Sequence, residues 1–299
     1  MRHGKYWFIV GFLVVPLAIY GTFVISAYLQ MFNLAFTDWD GYKAFNYIGF
    51  DNFVTLWHDS VFWAALRHNL FLLLLLPIIS IALALFFSFM LNVGGKSKGG
   101  VTRGVWGSKG YRIIFFFPQL LALVIVAVIF SRVFGSDRSG MINGLFPSSW
   151  HPWLFVADER WALTCLLLVL VWQQIGFYVV LFSAAMGSIS PEIYEAAALD
   201  GATRPVLFFR ITVPLLWNTL QVAWVYLGIA AFDGFALVNL MTVNQGGPNN
   251  ATMLLSMDIY KNAFNGAAGY SSAIGVVLFF LTLTFAALTL RVTRRDVEA

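Results

Sequence analysis

LFLLLLLPIISIALALFFSFMLN, residues 70–92, carries no charged side chain over 23 consecutive positions. At 1.5 Å per residue a helix of that length reaches about 35 Å, enough to cross the roughly 30 Å hydrocarbon layer of a bilayer. In lipid every backbone N–H and C=O must be satisfied internally, and the run lacks the alternation of a barrel strand, so it reads as a transmembrane helix. The charge-free tract extends from His68 to Gly95. Five more resemble it: Tyr6 to Thr37, Ile113 to Ser131, Trp161 to Pro191, Ile211 to Phe232 and Asn262 to Leu290. Helices are expected at about 7–30, 70–92, 113–134, 161–186, 214–240 and 270–291, with Pro77 kinking the second and Pro118 the third. The 299 residues thus form one all-α, polytopic domain, a six-helix bundle.

Composition agrees. The chain is 60% hydrophobic, 17% aromatic and only 11% charged, against about 25% charged in a soluble domain. That excludes a soluble enzyme, a nucleic-acid binder and a disordered chain. Cys165 is the single cysteine, which leaves no internal disulfide and no cysteine metal site. Arg2 and Lys5 precede an apolar core as in a signal peptide, but the apolar run is too long and no small-residue cleavage site follows it, so retention is expected.

Basic residues orient the helices. With the N-terminus inside, cytoplasmic segments hold twelve of the 18 Lys and Arg residues, among them Lys96, Lys98, Arg103, Arg204, Arg294 and Arg295. Both ends are then cytoplasmic. The external segments 31–68 and 135–160 are rich in tryptophan, which suits interfacial anchoring or a docking surface for an external partner. A short interfacial helix is expected near 50–66, and the glycine-rich basic stretch Gly94 to Gly110 should be mobile or lie against anionic headgroups.

Several motifs fail. Gly95-Lys96-Ser97 imitates the end of a phosphate-binding loop, but Met90 stands where the pattern needs glycine and no strand precedes it. His3, His58, His68 and His151 are scattered, without zinc spacing. No Gly-x-Ser-x-Gly elbow occurs. Asn250-Ala251-Thr252 matches a glycosylation sequon that chance readily produces.

The loop between spans four and five, 187–213, is more informative. Ser190 can cap a helix, Pro191 suits its first position and Glu192 complements the helix dipole. Ala196, Ala197 and Ala198 favour helix and permit close approach, and Gly201 can end it. A second short helix at about 205–210 leads into Ile211-Thr212-Val213-Pro214. Residues alone allow either a cytoplasmic lever arm or an ordinary amphipathic connector.

Glu195-Ala196-Ala197, then Gly201, then Ile211-x-Val213-Pro214 resembles the EAA loop of permease subunits in bacterial binding-protein-dependent ABC importers, with Val213 where the family usually has Leu. Thr37-Asp38-Trp39, Gly49-Phe50-Asp51-Asn52-Phe53, Phe117-Pro118-Gln119, Trp172-Gln173-Gln174-Ile175-Gly176-Phe177 and Gly246-Gly247-Pro248-x-x-Ala251-Thr252 are similar to carbohydrate-type permeases in the same order. The resemblance implies the type I importer permease fold and a heterodimer with a second, homologous permease. It also implies two cytoplasmic ATPase subunits that bind the ATP, an external solute-binding lipoprotein, a sugar substrate and a bacterial plasma membrane. No cofactor or metal on this chain and no nucleic-acid partner is implied. Glu195 would make the ionic contact with the ATPase, with Asp200 a second candidate; Ala196 and Ala197 would allow close packing, and Gly201 would set the bend. The glycine-rich stretch before span three is similar to N-acetylglucosamine or chitobiose permeases.

Asp233 is the only acid inside an expected span, flanked by Phe232 and followed by Asn239, while Gln173 and Gln174 sit within span four. Such groups either line a sugar path or hold helices together. A self-sufficient secondary carrier would show internal repeats and several intramembrane charges, neither of which is found. An intramembrane enzyme would need a catalytic pair or metal cluster in the spans.

Overall fold

The computed structural model describes residues 3–93, 104–147 and 149–293, with side chains from Ile9 to Val292. Gly95-Lys96-Ser97, most of the glycine-rich stretch, Arg2, Arg294 and Arg295 lie outside the described residues, as does the side chain of Lys5.

Among the described residues, four helices are long and apolar enough to cross a membrane as single pieces: Ile9–Leu34, Ser60–Asn92, Ala162–Gly187 and Ala268–Val292. Ser60–Asn92 runs through Pro77 as one helix. Two further crossings are bent pairs, Ser108–Leu120 with Leu123–Val133 at 95° and Arg204–Leu215 with Trp217–Phe232 at 74°. With each bent pair counted as one crossing, the described residues form six spans, all of them helical.

The bends correct two expected spans. The stretch 113–134 is not one helix: Leu121 and Ala122 are extended, and the break falls one turn beyond Pro118 rather than at it. The stretch 214–240 is interrupted twice, at Leu216 and again at Asp233-Gly234, before the short helix Phe235–Met241. The second short helix expected at about 205–210 is a π-helical turn, Leu207–Thr212, continuous with its neighbours.

The chain packs as two units. The first comprises residues 1–63 and 258–281. In it Met31, Phe32, Phe36 and Phe53 close over Ala35, Ala273 and Val276. Buried Asn52 donates from Nδ2 to the carbonyls of Ala35 and Thr37, both at 2.9 Å. Asp38 accepts from the Asn46 backbone N–H at 2.6 Å, and these bonds hold its carboxyl below the usual range. The residues after the first span are thereby knitted to helix Asp51–His58.

The second unit comprises residues 64–257 and 282–299. There Ser108–Leu120 crosses Ala162–Gly187 at Gly176, where a Cβ would stand 1.8 Å from the carbonyl oxygen of Phe115. Only glycine admits that approach. Leu123–Val133 lies against Phe235–Met241. Two asparagines staple the apolar interior. Asn69, fully buried, donates to the Ala231 carbonyl and accepts from the Leu255 N–H, both at 2.9 Å. Asn92 donates to Ser183 Oγ at 3.0 Å and accepts from Arg112 Nη2 at 2.7 Å.

Candidate functional site: the helix between spans four and five

Pro191–Leu199 forms a nine-residue helix, with Pro191 at its first position and Glu192 in its first turn. Ser190 holds the N-cap backbone geometry but does not cap with its side chain; its hydroxyl donates instead to Glu192 Oε2 at 2.6 Å. Gly201 closes the helix. Its φ of +78° is the left-handed conformation, its N–H reaches the Ala198 carbonyl at 3.1 Å and the Ala202 N–H reaches Ala197 at 2.9 Å. That pair of bonds is the Schellman stop, which satisfies carbonyls that would otherwise be orphaned.

The helix has two distinct faces. On one, Tyr194 is buried at 4% exposure, and its hydroxyl lies 3.2 Å from Thr212 Oγ1. Thr212 spends its own proton on the Leu207 carbonyl at 3.0 Å, so Tyr194 is the donor. Burial pushes the Tyr194 phenol up, so it stays protonated and able to donate. This bond ties the short helix to the π-helical turn that leads into Trp217–Phe232.

The opposite face is bare. Ile193 is 41% and Leu199 89% exposed, with Ala196 and Asp200 exposed beside them. Glu195 lies at the edge, half-buried, and its carboxylate has no hydrogen-bond or ion-pair partner among the described residues. Ala197 is half-buried.

The residues of the possible path are distributed differently. Asp233 is exposed at the break that ends Trp217–Phe232. Phe232 is buried at 4% exposure, so its ring belongs to the core and does not flank Asp233 on the surface. Gln173 is buried and Gln174 and Asn239 are half-buried, with Asn239 Oδ1 and Gln119 Oε1 lacking hydrogen bonds. No hydrogen bond joins Asp233 to Asn239, Gln173 or Gln174.

Sequence reading missed the Tyr194–Thr212 tie and the Asn69 and Asn92 staples. The asparagines had a visible signal, since a carboxamide inside an apolar tract must find a partner.

The family described as "Binding-protein-dependent transport system inner membrane component" matches residues 60–295. The chain belongs to this family. It is 39% identical over 292 residues to the diacetylchitobiose uptake system permease protein NgcF of Streptomyces coelicolor, covering 96% of this chain and 82% of that protein. It is 30% identical to the multiple sugar-binding transport system permease protein MsmF of Streptococcus mutans, covering 97% and 96%. The sn-glycerol-3-phosphate transport system permease protein UgpA of Escherichia coli is 31% identical, covering 84% and 82%. The same fold occurs in the bacterial alginate ABC transporter solved in complex with an alginate pentasaccharide-bound periplasmic protein: TM-score 0.80, 24% identity, covering 99% and 97%. The chain is a membrane permease subunit of an ABC importer, and the self-sufficient carrier is not favoured.

Proposed function

We propose that this chain forms half of the translocation pathway of a bacterial sugar importer, paired with a second, homologous permease. In this reading both termini face the cytoplasm, and two cytoplasmic ATPase subunits bind and hydrolyse the ATP. An external solute-binding lipoprotein delivers the sugar. The chain itself needs no cofactor or metal.

The observation that carries the proposal is the two-faced helix Pro191–Leu199. Its bare Ile193–Ala196–Leu199 surface suits an apolar groove on the ATPase, where burying a residue such as Leu or Ile contributes about 1.5–3 kcal/mol. Glu195 supplies an ionic contact at the edge, Asp200 stands at the far end, Ala197 permits close packing and Gly201 sets the exit. Motion delivered to this helix passes through Tyr194 and Thr212 into span five. Asp233, exposed at the break in that span, lines the path together with Asn239, Gln173 and Gln174; a broken helix frees backbone and polar side chains at membrane depth. Phe232 supports the break from within the core. The substrate class follows the named relatives, whose sugars include diacetylchitobiose, and a neutral oligosaccharide fits an aromatic-rich chain with a single intramembrane acid.

The deciding experiment is co-expression with the partner permease and ATPase, followed by mild detergent extraction and reconstitution. Copurification of the ATPase and ATP-dependent sugar uptake are expected. Uptake by vesicles containing this chain alone would overturn the reading.

A further inference from the structure

We propose that a cleft formed by the start of span two, the start of span four and the segment after span five is an entry subsite for a neutral saccharide. The inference rests on the importer reading above, which puts this cleft on the external face. It encloses about 410 Å³, within the range of small-molecule sites, and is lined among others by His68, Phe71, Glu159, Arg160, Asn249 and Asn250.

The lining has the two chemistries a sugar requires. Phe71 presents an exposed ring that matches the C–H face of a pyranose. Around it stand planar polar groups able to pair with vicinal hydroxyls. Among the described residues Arg160 and Asn250 have no side-chain hydrogen bond, so five guanidinium donors and a whole carboxamide are available. His68 Nδ1 lies 2.9 Å from the Met253 carbonyl, which can only accept. That bond places the imidazole proton on Nδ1 and leaves Nε2 of the neutral ring as an acceptor. Asn249 donates from Nδ2 to Glu159 Oε1 across the rim, leaving its own Oδ1 and the second Glu159 oxygen free. One acid and one guanidinium balance, so nothing in the cleft selects a charged headgroup or a phosphate.

The backbone supports this arrangement. Asn244, Gln245, Asn249 and Asn250 all have φ between 47° and 60°, flanking Gly246 and Gly247. Strained positions persist where the surroundings over-determine them, and they cluster at ligand clamps. Here it sets Asn249 against Glu159 and Asn250 on the wall of the same cleft.

The test uses the full chain in lipid nanodiscs, with saturation-transfer NMR read on N,N′-diacetylchitobiose and, separately, on maltose. Transfer to at least one neutral disaccharide is expected. Asn250→Ala and Phe71→Ala should each weaken it about fivefold, the loss of one hydrogen bond or ring contact, and Thr164→Val serves as a third, volume-conserving probe of the same wall. Val292→Ala, an exposed position that does not line the cleft, should leave it unchanged. Absence of transfer in the unaltered chain, or transfer in all three cleft variants undiminished from that of the unaltered chain, overturns the subsite. In the assembled importer the same cleft variants should raise KM with little change in maximal rate. Unaltered uptake kinetics there would sink the subsite while leaving sugar import standing, whereas binding without any ATP-dependent uptake would sink the importer reading alone.

Discussion

Tyr270 donates its phenolic hydroxyl to Asp59 Oδ2 at 2.6 Å, while the other Asp59 oxygen accepts from the Val61 N–H at 2.8 Å. One carboxylate therefore caps helix Ser60–Asn92 and holds the first turn of Ala268–Thr293. A second acid lies close by. Asp258 is 4% exposed, accepts from Asn262 at 2.9 Å and leaves Oδ2 without a hydrogen bond. Burial, then the Asp59 charge, push its carboxyl up to about 6, against the Asn262 bond and Lys261.

A carboxyl raised in the folded chain binds its proton more tightly there than when unfolded. Stability contributed by the proton is present at low pH and is lost as pH rises from about 4 through about 6. The penalty above that window is about 3 kcal/mol at most. Asp258→Asn should raise the Tm at pH 7.5 and leave it nearly unchanged near pH 4. Thermal melts in detergent check this; a gain independent of pH would refute the assignment.

Asn69 offers a second test. Asn69→Ala leaves the Ala231 carbonyl and the Leu255 N–H unpaired in a buried setting, at a cost of about 2–4 kcal/mol. A melt lowered by several degrees is expected. Asn69→Leu should do no better, because volume is not what the site lacks.

Gly176→Val should be the most damaging of the core substitutions. The new Cβ meets the Phe115 carbonyl at 1.8 Å, and neither helix can yield without separating. A loss of about 3 kcal/mol or more is expected, read as loss of the monodisperse peak on size-exclusion chromatography. Gly176→Ala should lie between the two.

At the short helix, Glu195→Lys and Gly201→Asp should abolish uptake while the protein still inserts in the membrane. Gly201→Ala meets no neighbouring atom and bears only the left-handed φ, about 1 kcal/mol, so reduced but measurable uptake is expected. Tyr194→Phe removes one hydroxyl in the buried face. ATP hydrolysis should persist and sugar uptake fall, a separation read from the two rates in the same proteoliposomes.

How much was legible divides along physical lines. Missing charge marked the four unbroken candidate crossings and both bent pairs, because burial in lipid penalises charge wherever the chain folds. The breaks were harder. Neither Leu121 nor Ala122 is proline or glycine, yet their backbone is extended where the chain enters the helix that packs on Phe235–Met241. Asp233-Gly234 did carry a polar and glycine signal, but it read as a kink rather than a stop. The order Ser190, Pro191, Gly201 marked the short helix correctly, whereas the choice of Ser190 to bond Glu192 needed side-chain geometry. The small motifs became readable as knots: Asn52 fastening Thr37, and Gly176 admitting Phe115.

The interruption at Asp233-Gly234 has a mechanical consequence. No unbroken column of backbone hydrogen bonds links Trp217–Phe232 to Phe235–Met241, and the latter rests on Leu123–Val133. Torque applied through Thr212 must first turn the bend at Leu216, and beyond Phe232 it must pass through the dihedrals of two residues. The two ends of the crossing can therefore change tilt at different moments, like the paired gates of a canal lock, one swinging while the other stays shut.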